Sequence, residues 1–447
     1  MSSHKLRKSY VIGVGITKFT KPRGQVDYPD IVREAAVKAL LDANITYDSI
    51  QQVFVGYCFG ESTCGQRAVY QLGMTQIPII NVNNNCSTGS TALYLARQTV
   101  ESGTAECVLA LGFEQMYFGP LKSVWDDRTN PIDLTINSMS ETRGITSSPI
   151  TAQIFGNAGL EYCEKYGATA EHMAKISEKN HRHSAKYPYS QFRDIYTLEQ
   201  IKSSPTIFGP LTKLQCCPTS DGSGAVIIAS ENFVIENNLE SQAIEIVAQS
   251  MATDSPLLYD TKNSIELAGA DMTRRAAKDV FEKAGITADD VQVIELHDCF
   301  SANELITYDA LGLCKPGEAH KLIDAGDVTY GGKYVVNPSG GLISKGHPLG
   351  ATGLAQCTEL VWQLRGWCAN RQVPNLRYAL QHNIGLGGAA VVTLYKRPNF
   401  LRFGKSVQDA RERLGYNPAV EARGINEQDF KKVISKKMSS EYVNARL

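Results

Sequence analysis

A cysteine stands where the sequence predicts the start of a helix. Cys86 lies in the run Asn-Asn-Asn-Cys-Ser-Thr-Gly-Ser-Thr-Ala at residues 83–92, between an apolar run at 77–82 and an apolar-periodic segment at 92–100. This pattern predicts a turn from a buried strand into an amphipathic helix. Because a helix start stabilises a thiolate, we expect a lowered pKa and a nucleophilic thiol. The alternative is that Cys86 is simply a small buried hydrophobic residue.

A histidine occupies a similar place later in the chain. His347 lies in Ser-Lys-Gly-His-Pro-Leu-Gly-Ala-Thr-Gly at residues 344–353, again at a predicted helix start. The positive helix end disfavours a protonated ring, so we expect a neutral imidazole that accepts a proton. The alternative is a structural histidine.

A second His and Cys follow a predicted strand at residues 293–296. His297-Asp298-Cys299-Phe300 would therefore lie at the carboxyl edge of the sheet. A zinc site would need a third or fourth ligand at suitable spacing, and none accompanies this motif, so we predict no metal.

A glycine-rich run ends another predicted strand. Asn-Ile-Gly-Leu-Gly-Gly at residues 383–388 offers backbone N–H groups to a developing oxyanion. We expect His382, beside it, to be structural. We expect His172, His181 and His183 to be solvated or hydrogen-bonded surface residues.

The chain contains an internal repeat. Cys86 and His347 occupy equivalent helix starts in it, and a pseudo-twofold packing of the two copies would bring them together. The repeat predicts a duplicated α/β domain with parallel strands, helices on both faces and the site at the carboxyl ends of the strands. The aligned segments are residues 31–45 with 272–286, 52–59 with 293–300, and 86–93 with 347–354.

The repeat also reveals an insertion. The second copy passes directly from a strand at 377–383 to one at 388–394, whereas about a hundred residues separate the equivalent strands of the first copy. We predict a lid or substrate-binding layer with helices at 152–166 and 170–183. The alternative is a segment that packs on the core without a role in substrate binding. The predicted units are residues 1–114 with 221–242, the insertion 115–220, the second half 243–397, and a surface-following extension 398–447 with a free end.

Composition excludes several classes of protein. The 447 residues include 45 Lys and Arg against 46 Asp and Glu, so nothing favours nucleic acid as a partner. The 11 irregularly spaced cysteines indicate a reducing compartment, and the absence of an apolar run of about 18 residues predicts no membrane span. Gly13-x-Gly15 lacks the third glycine of a dinucleotide loop. Ala445-Arg446-Leu447 matches the form of a peroxisomal address, which predicts the import receptor as a partner and a peroxisomal location.

The motifs at Cys86 and His347, with the duplicated core, resemble those of thiolases over residues 8–397. The stretches 297–300 and 337–353 are similar to the SCP2-thiolases, the thiolase part of sterol carrier protein X. The resemblance implies a five-layered αβαβα fold of two βαβαβαββ halves with an inserted loop domain. Most thiolases have Asn-Glu-Ala-Phe at 297–300 and Cys-x-Gly at 383–385. Because this chain has Asn383 in the second motif, the resemblance makes Cys299 the acid/base.

The resemblance also implies a reaction. Cys86, deprotonated by His347, would attack a 3-ketoacyl-CoA; Cys299 would protonate the acyl-CoA enolate and then activate coenzyme A, a co-substrate with no bound cofactor. The backbone N–H groups of Cys86 and Gly385 would hold one oxyanion, and His297 with His347 the other. Expected products are acyl-CoA and acetyl-CoA or propionyl-CoA from long, branched or sterol-side-chain substrates of peroxisomal β-oxidation. A homodimer through a sheet edge near Cys86 is expected from the family.

Two alternatives remain open on sequence grounds. A condensing enzyme of the same superfamily would share Cys86 and His347. A non-catalytic homologue would bind or scaffold acyl-CoA without turnover. The extension is shorter than a lipid-transfer domain, so we expect a stand-alone thiolase, with a cytoplasmic or mitochondrial location as the alternative to the peroxisome.

Overall fold

A computed structural model describes residues 6–117, 119, 121, 123, 125–399 and 408–444. Its strands are β1 Ser9–Ile16, β2 Gln52–Gly56, β3 Ile79–Val82, β4 Cys107–Glu114, β5 Thr206–Phe208, β6 Leu211–Thr212, β7 Gly222–Ser230, β8 Ile244–Ala252, β9 Val293–Glu295, β10 Val335–Val336, β11 Tyr378–Gly385 and β12 Ala389–Lys396. Its helices are α1 Tyr28–Ala43, α2 Cys64–Val69, α3 Thr88–Glu101, α4 Asp133–Arg143, α5 Ile150–Tyr166, α6 Ala170–Ser184, α7 Leu198–Lys202, α8 Glu231–Glu236, α9 Leu257–Asp260, α10 Ser264–Leu267, α11 Ala270–Ala284, α12 Ser301–Ala310, α13 Ala319–Asp324, α14 Gly341–Lys345, α15 Leu349–Arg365, α16 Ala410–Leu414, α17 Glu427–Val433 and α18 Glu441–Asn444.

The large sheet consists of two halves with the same strand order. One half runs β3-β2-β4-β7-β1 and the other β10-β9-β11-β12-β8, and a short antiparallel pairing of β1 with β8 joins them. Each strand of one half has its counterpart at the same place in the other. The predicted duplication is therefore present in the fold.

The prediction of parallel strands is correct for only part of each half. The β2 strand pairs parallel with β3 and β4, and β9 pairs parallel with β10 and β11. The remaining neighbours, including β4–β7 and β11–β12, are antiparallel. In the second half only three residues connect β11 to β12, too few for the crossover that a parallel pair needs. The sheet is mixed.

Five layers follow from what packs on each face. Helix α1 covers one side of β1 and β7, and α11 covers the far side of β8 and β12. Helices α3 and α15 pack together between the two halves, and every residue of α15 is buried. Along β7, Ile227 contributes to the outer core while Val226 and Ile228 contribute to the central one, because both faces of the strand are covered. This is the predicted α/β fold of the αβαβα type.

The inserted segment packs on the second half of the molecule. Its helices α5 and α6 lie where the sequence predicted them, and both contact α12. The prediction that His172, His181 and His183 are surface residues is wrong: each is less than a tenth exposed. Helix α6 packs against α12 and α14, so the polar residues on that face, including Lys179 and Asn180, are enclosed.

The C-terminal extension is attached to the core by polar contacts. Arg413 on α16 pairs with Asp42, which also accepts a bond from Arg365 Nη1 at 2.7 Å. Further on, Met438 O accepts a bond from Met74 N at 2.8 Å. Ala410, Ala419, Phe430 and Val433 of the extension are buried against the core. The predicted surface-following extension with a free end stays a prediction, and residues 445–447 lie outside the described residues. In the described part of the chain, each helix is too short or too polar to cross a membrane.

Candidate active site

Cys86 sits on a tight turn between β3 and α3. Asn85 adopts a left-handed backbone conformation with φ 52°, which asparagine tolerates better than most residues. The Thr88 hydroxyl accepts a bond from Asn84 N at 2.9 Å and donates to Asn85 O at 2.6 Å. This turn places Cys86 just before the helix, as the sequence predicted.

The pKa of the Cys86 thiol is raised, which favours its protonated form. Burial, and then the charge of Glu114, raise its pKa to about 12. The predicted lowering of this pKa is therefore wrong in direction. Removal from water outweighs the helix-start stabilisation at this position.

His347 is a neutral imidazole with one free nitrogen. Its Nδ1 lies 2.7 Å from the Thr352 hydroxyl, which donates its own hydrogen to Pro348 O at 3.0 Å. Nδ1 must therefore carry the proton, and Nε2 keeps a lone pair that is buried without a hydrogen-bond partner. Burial, and then Lys345, lower the pKa of His347 to about 3, in agreement with the expected neutral ring.

His297 presents the opposite tautomer. Its Nδ1 accepts from Asn383 Nδ2 at 2.8 Å, because Asn383 Oδ1 is held by the Ser90 hydroxyl at 2.9 Å. His297 Nε2 therefore carries the hydrogen. The two imidazoles meet edge to face with centroids 5.1 Å apart, and burial keeps the pKa of His297 well below its usual value. One ring can accept a proton and the other can donate a hydrogen bond.

Two further thiols face this group. Cys299 lines the same cavity as Cys86, and its carbonyl accepts a bond from Cys217 N at 2.8 Å. Burial raises the pKa of both Cys299 and Cys217. Sequence reasoning did not place Cys217 here; the available signal was the adjacent cysteine pair at the end of the insertion.

The turn that follows β9 is held by buried polar groups. Asp298 accepts bonds from Leu342 N at 2.6 Å and from Asn180 Nδ2 at 2.8 Å. On the same helix as Asn180, Lys179 pairs with Glu304, and both side chains are almost fully buried. The inserted helix α6 therefore fixes the segment that carries His297 and Cys299.

Gly385 brings the second predicted oxyanion donor beside the Cys86 turn. A Cβ at this position would lie 2.2 Å from Asn84 O and 2.9 Å from Ser87 Oγ, so only glycine fits without a shift. Asn85 Nδ2 also donates to Leu386 O at 3.0 Å. The two segments are in direct contact.

Glu114, at the end of β4, is a buried carboxylate that sequence reasoning missed. It accepts backbone bonds from Cys58 at 2.7 Å, Phe59 at 3.1 Å and Gly350 at 3.1 Å. Burial raises its pKa to about 7. Cys58, the repeat counterpart of Cys299, bonds within this region and does not line the cavity.

Cys86, His297, Cys299 and His347 line a cavity of about 710 Å³, and the inserted segment supplies most of its wall. The residues that line it are Lys21, Pro22, Cys86, Met116, Gly119, Leu121, Pro149, Thr151, Ala152, Phe155, His181, Gln191, Phe192, Tyr196, Ser204, Pro205, Ile207, Lys213, Leu214, Cys216, Cys217, Pro218, Thr219, His297, Cys299, Phe300, Ile343, His347, Leu349, Ile384 and Leu386.

Comparison with known proteins identifies the family. Residues 9–232 match the family described as "Thiolase, N-terminal domain", and residues 259–397 match "Thiolase C-terminal domain-like". The chain belongs to the thiolase family. It is 59% identical to sterol carrier protein 2 of Bos taurus over 389 residues, which are 87% of this chain and 72% of the bovine protein.

Solved thiolase-fold structures agree. Human mitochondrial 3-ketoacyl-CoA thiolase, also solved in complex with CoA, matches with a TM-score of 0.66 and 21% identity over 88% of this chain and 99% of its own. The Ltp2-ChsH2(DUF35) aldolase matches with a TM-score of 0.75, at 21% identity over 88% of this chain and 98% of its own. One fold thus serves different carbon–carbon chemistries, so it does not fix the reaction. Membership of the thiolase family supports an acyltransferase.

The thiolase site also gathers potential metal ligands. Cys86 Sγ and one ring nitrogen of each of His297 and His347 all lie within 4.8 Å of one another. The sequence did not group them as ligands because they come from three separate segments. The prediction of a thiolase without a metal stays a prediction.

Proposed function

We propose that this thiolase cleaves 3-ketoacyl-CoA with coenzyme A through an acyl group carried on Cys86. The observation that carries the proposal is the buried, unpartnered Nε2 of His347, whose ring shares the cavity with the Cys86 thiol. A lone pair in that place accepts the thiol proton. The roles of Cys86, His347, His297, Cys299 and Gly385 below are part of the proposal.

The first step joins proton transfer to attack on carbon. With the pKa of Cys86 about 12 and that of His347 about 3, a resting thiolate–imidazolium pair is disfavoured. The proton passes from Sγ to Nε2 as sulfur bonds to the 3-keto carbon. The backbone N–H groups of Cys86 and Gly385 stabilise the developing oxyanion, and one such donor contributes about 2.7–4 kcal/mol.

The second step breaks the bond between C2 and C3. The electron pair of this bond forms the enolate of the leaving acyl-CoA thioester. The enolate oxygen accepts a hydrogen bond from the Nε2–H of His297. Cys299 protonates C2, and the raised pKa of its thiol keeps that proton available. The Cys299 thiolate then takes the proton of incoming coenzyme A, whose sulfur attacks the acyl group on Cys86. Cys86 Sγ leaves as a thiolate and takes back the proton that His347 Nε2 received in the first step.

The cavity supports a bulky apolar acyl chain. Phe155, Ile207, Leu214, Ile343 and Leu386 line it, and all five are apolar. We propose long, branched or sterol-side-chain 3-ketoacyl-CoA as substrates, with acetyl-CoA or propionyl-CoA as the second product.

The test follows loss of the magnesium-enolate absorbance of 3-ketoacyl-CoA on addition of coenzyme A. We expect turnover by the wild type and losses of at least a hundredfold in both Cys86→Ala and Cys299→Ala. Cys163→Ala is a matched control, since Cys163 lies on α5 away from the cavity lining. A wild type that is silent on short, long and branched substrates contradicts the proposal and favours an acyl-CoA-binding homologue. Net formation of 3-ketoacyl-CoA under the same conditions favours a condensing enzyme.

Location and assembly have separate tests. We propose a peroxisomal enzyme of β-oxidation, delivered by its receptor through Ala445-Arg446-Leu447; a tag that masks this end should leave the protein in the cytosol. We also propose a homodimer through the edge strand β3, where Ile80 is 42% exposed. Ile80→Lys should shift the sedimentation coefficient to that of a monomer, and an unchanged dimer contradicts this interface.

A further inference from the structure

The thiol and the two imidazoles of the cavity have a property that acyl transfer does not require. They are one Cys and two His, and thiolate sulfur and imidazole nitrogen are both ligands that Zn²⁺ binds in proteins. Their donor atoms lie within 4.8 Å of one another. Ligands of a tetrahedral zinc ion at bond lengths of about 2.0–2.3 Å stand roughly 3.3–3.7 Å apart, so contraction by about 1 Å forms the site.

One nitrogen of the group, His347 Nε2, is already available to bind a ligand. His347 Nε2 is buried with no hydrogen-bond partner, and Thr352 holds the ring through Nδ1. A histidine that ligates zinc commonly has its other nitrogen bonded in this way. The cavity provides the route by which an ion reaches the three atoms and room for a water as fourth ligand.

From this geometry we propose that Cys86, His297 and His347 form an inhibitory zinc site. Zn²⁺ bonds to Cys86 Sγ, and the thiol proton leaves to solvent. His347 donates its Nε2 lone pair as it stands. His297 moves its proton from Nε2 to Nδ1, and Asn383 turns its amide so that Oδ1 accepts that hydrogen. No electron is transferred, and the bound ion blocks Cys86 from acyl groups.

The test uses Co²⁺ as the spectroscopic probe and Zn²⁺ as its competitor. We expect the full chain to bind one Co²⁺ with a thiolate-to-cobalt charge-transfer band in the near ultraviolet, and one equivalent of Zn²⁺ to remove that band. In Cys86→Ser the band should be absent, and in His347→Gln the affinity for Co²⁺ should fall at least tenfold. Cys217→Ser is the matched control, because Cys217 lines the same cavity outside the three-atom group. The thiolate-to-cobalt band should persist in this variant.

The Asn383→Asp variant should raise the affinity for the metal, whereas Cys86→Ser and His347→Gln should lower it. An aspartate carboxylate accepts the Nδ1–H of His297, which favours the tautomer with a free Nε2. We expect about tenfold tighter Zn²⁺ binding in this variant. Wild-type protein without the thiolate band, a band that persists in Cys86→Ser, or unchanged affinity in Asn383→Asp overturns the proposal. Because this readout needs no turnover, failure of the thiolysis assay leaves the metal proposal separately testable.

Discussion

The carboxylate of Glu114 accepts the backbone N–H of Gly350 at 3.1 Å, and so ties the end of β4 to the first turn of α15. Its other two bonds, from Cys58 and Phe59, hold the loop after β2. One buried side chain thus joins the strand ends beside Cys86 to the helix that follows His347. Its charge also reaches the Cys86 thiol.

Replacing Glu114 should make Cys86 more reactive above neutral pH. The pKa of Glu114 is raised to about 7, so this group is mostly ionised at pH 8 and mostly neutral at pH 6. We expect Cys86 in Glu114→Gln to be alkylated by iodoacetamide roughly three- to tenfold faster than in the wild type at pH 8, because a repelling charge is gone. The difference should shrink at pH 6. Peptide mapping of Cys86 measures the rates, and equal rates at pH 8 contradict the charge effect.

Adding one methyl group at Gly385 should damage catalysis. The Cβ of Gly385→Ala would press on Asn84 O and Ser87 Oγ and shift the Cys86 turn. Displacement of one oxyanion donor predicts a fall in kcat of about 10²–10³. Gly424→Ala is the control, because a Cβ there meets no atom within 4 Å. Retained kcat in Gly385→Ala contradicts the assigned donor.

Acid should destabilise the protein partly through His183. Burial lowers its folded-state pKa from about 6.5 to about 3. Between these values the unfolded chain binds a proton that the folded chain does not, so the free energy of unfolding falls as the pH falls through 6.5. This histidine contributes about 2 kcal/mol of loss between pH 7 and pH 5.

His183→Gln should remove that contribution. Denaturant unfolding at pH 7 and pH 5 measures it, and the wild type should lose about 2 kcal/mol more than the variant across this interval. The variant starts from lower stability, because His183 also bonds Asn337 O and the Thr329 hydroxyl. Parallel pH dependences would show that His183 does not titrate in this way.

The C-terminal extension should contribute to stability through Arg413. Arg413→Ala leaves Asp42 with only its bonds from Arg365 and the backbone of Val14. We expect a loss of about 1–3 kcal/mol, seen as a lower melting temperature. Arg411→Ala, an exposed position on the same short helix, should change it little. Equal effects in the two variants would show that the buried pairing contributes nothing.

The sequence was sufficient for the duplicated architecture and for bringing Cys86 and His347 into one cavity. Both the architecture and the shared cavity follow from the aligned segments of the repeat. Residues at equivalent places in a repeat lie at equivalent places in the fold. The antiparallel pairing of β4 with β7 was missed because about a hundred inserted residues separate the two strands. That of β11 with β12 was missed although their three-residue connection is visible in the sequence.

Burial explains the other differences. The thiol pKa of Cys86 was predicted too low because helix starts are visible in sequence, whereas the enclosure of the thiol is not. His181 Nε2 donates to Leu214 O, and His181 Nδ1 accepts from the Ser344 hydroxyl inside the molecule, yet no sequence pattern identifies those partners. Glu114 and Asn383 act through contacts made only after folding.

The placement of α15 has a consequence for how the chain unfolds. Helices α3 and α15 cover the inner face of each half of the sheet, and α15 is enclosed by both halves at once. Separating the halves would expose apolar residues along the whole of this helix, including Leu354, Leu360, Val361 and Trp362. The two halves of the duplicated core therefore do not unfold independently of each other. We expect the core to lose its structure in a single cooperative transition.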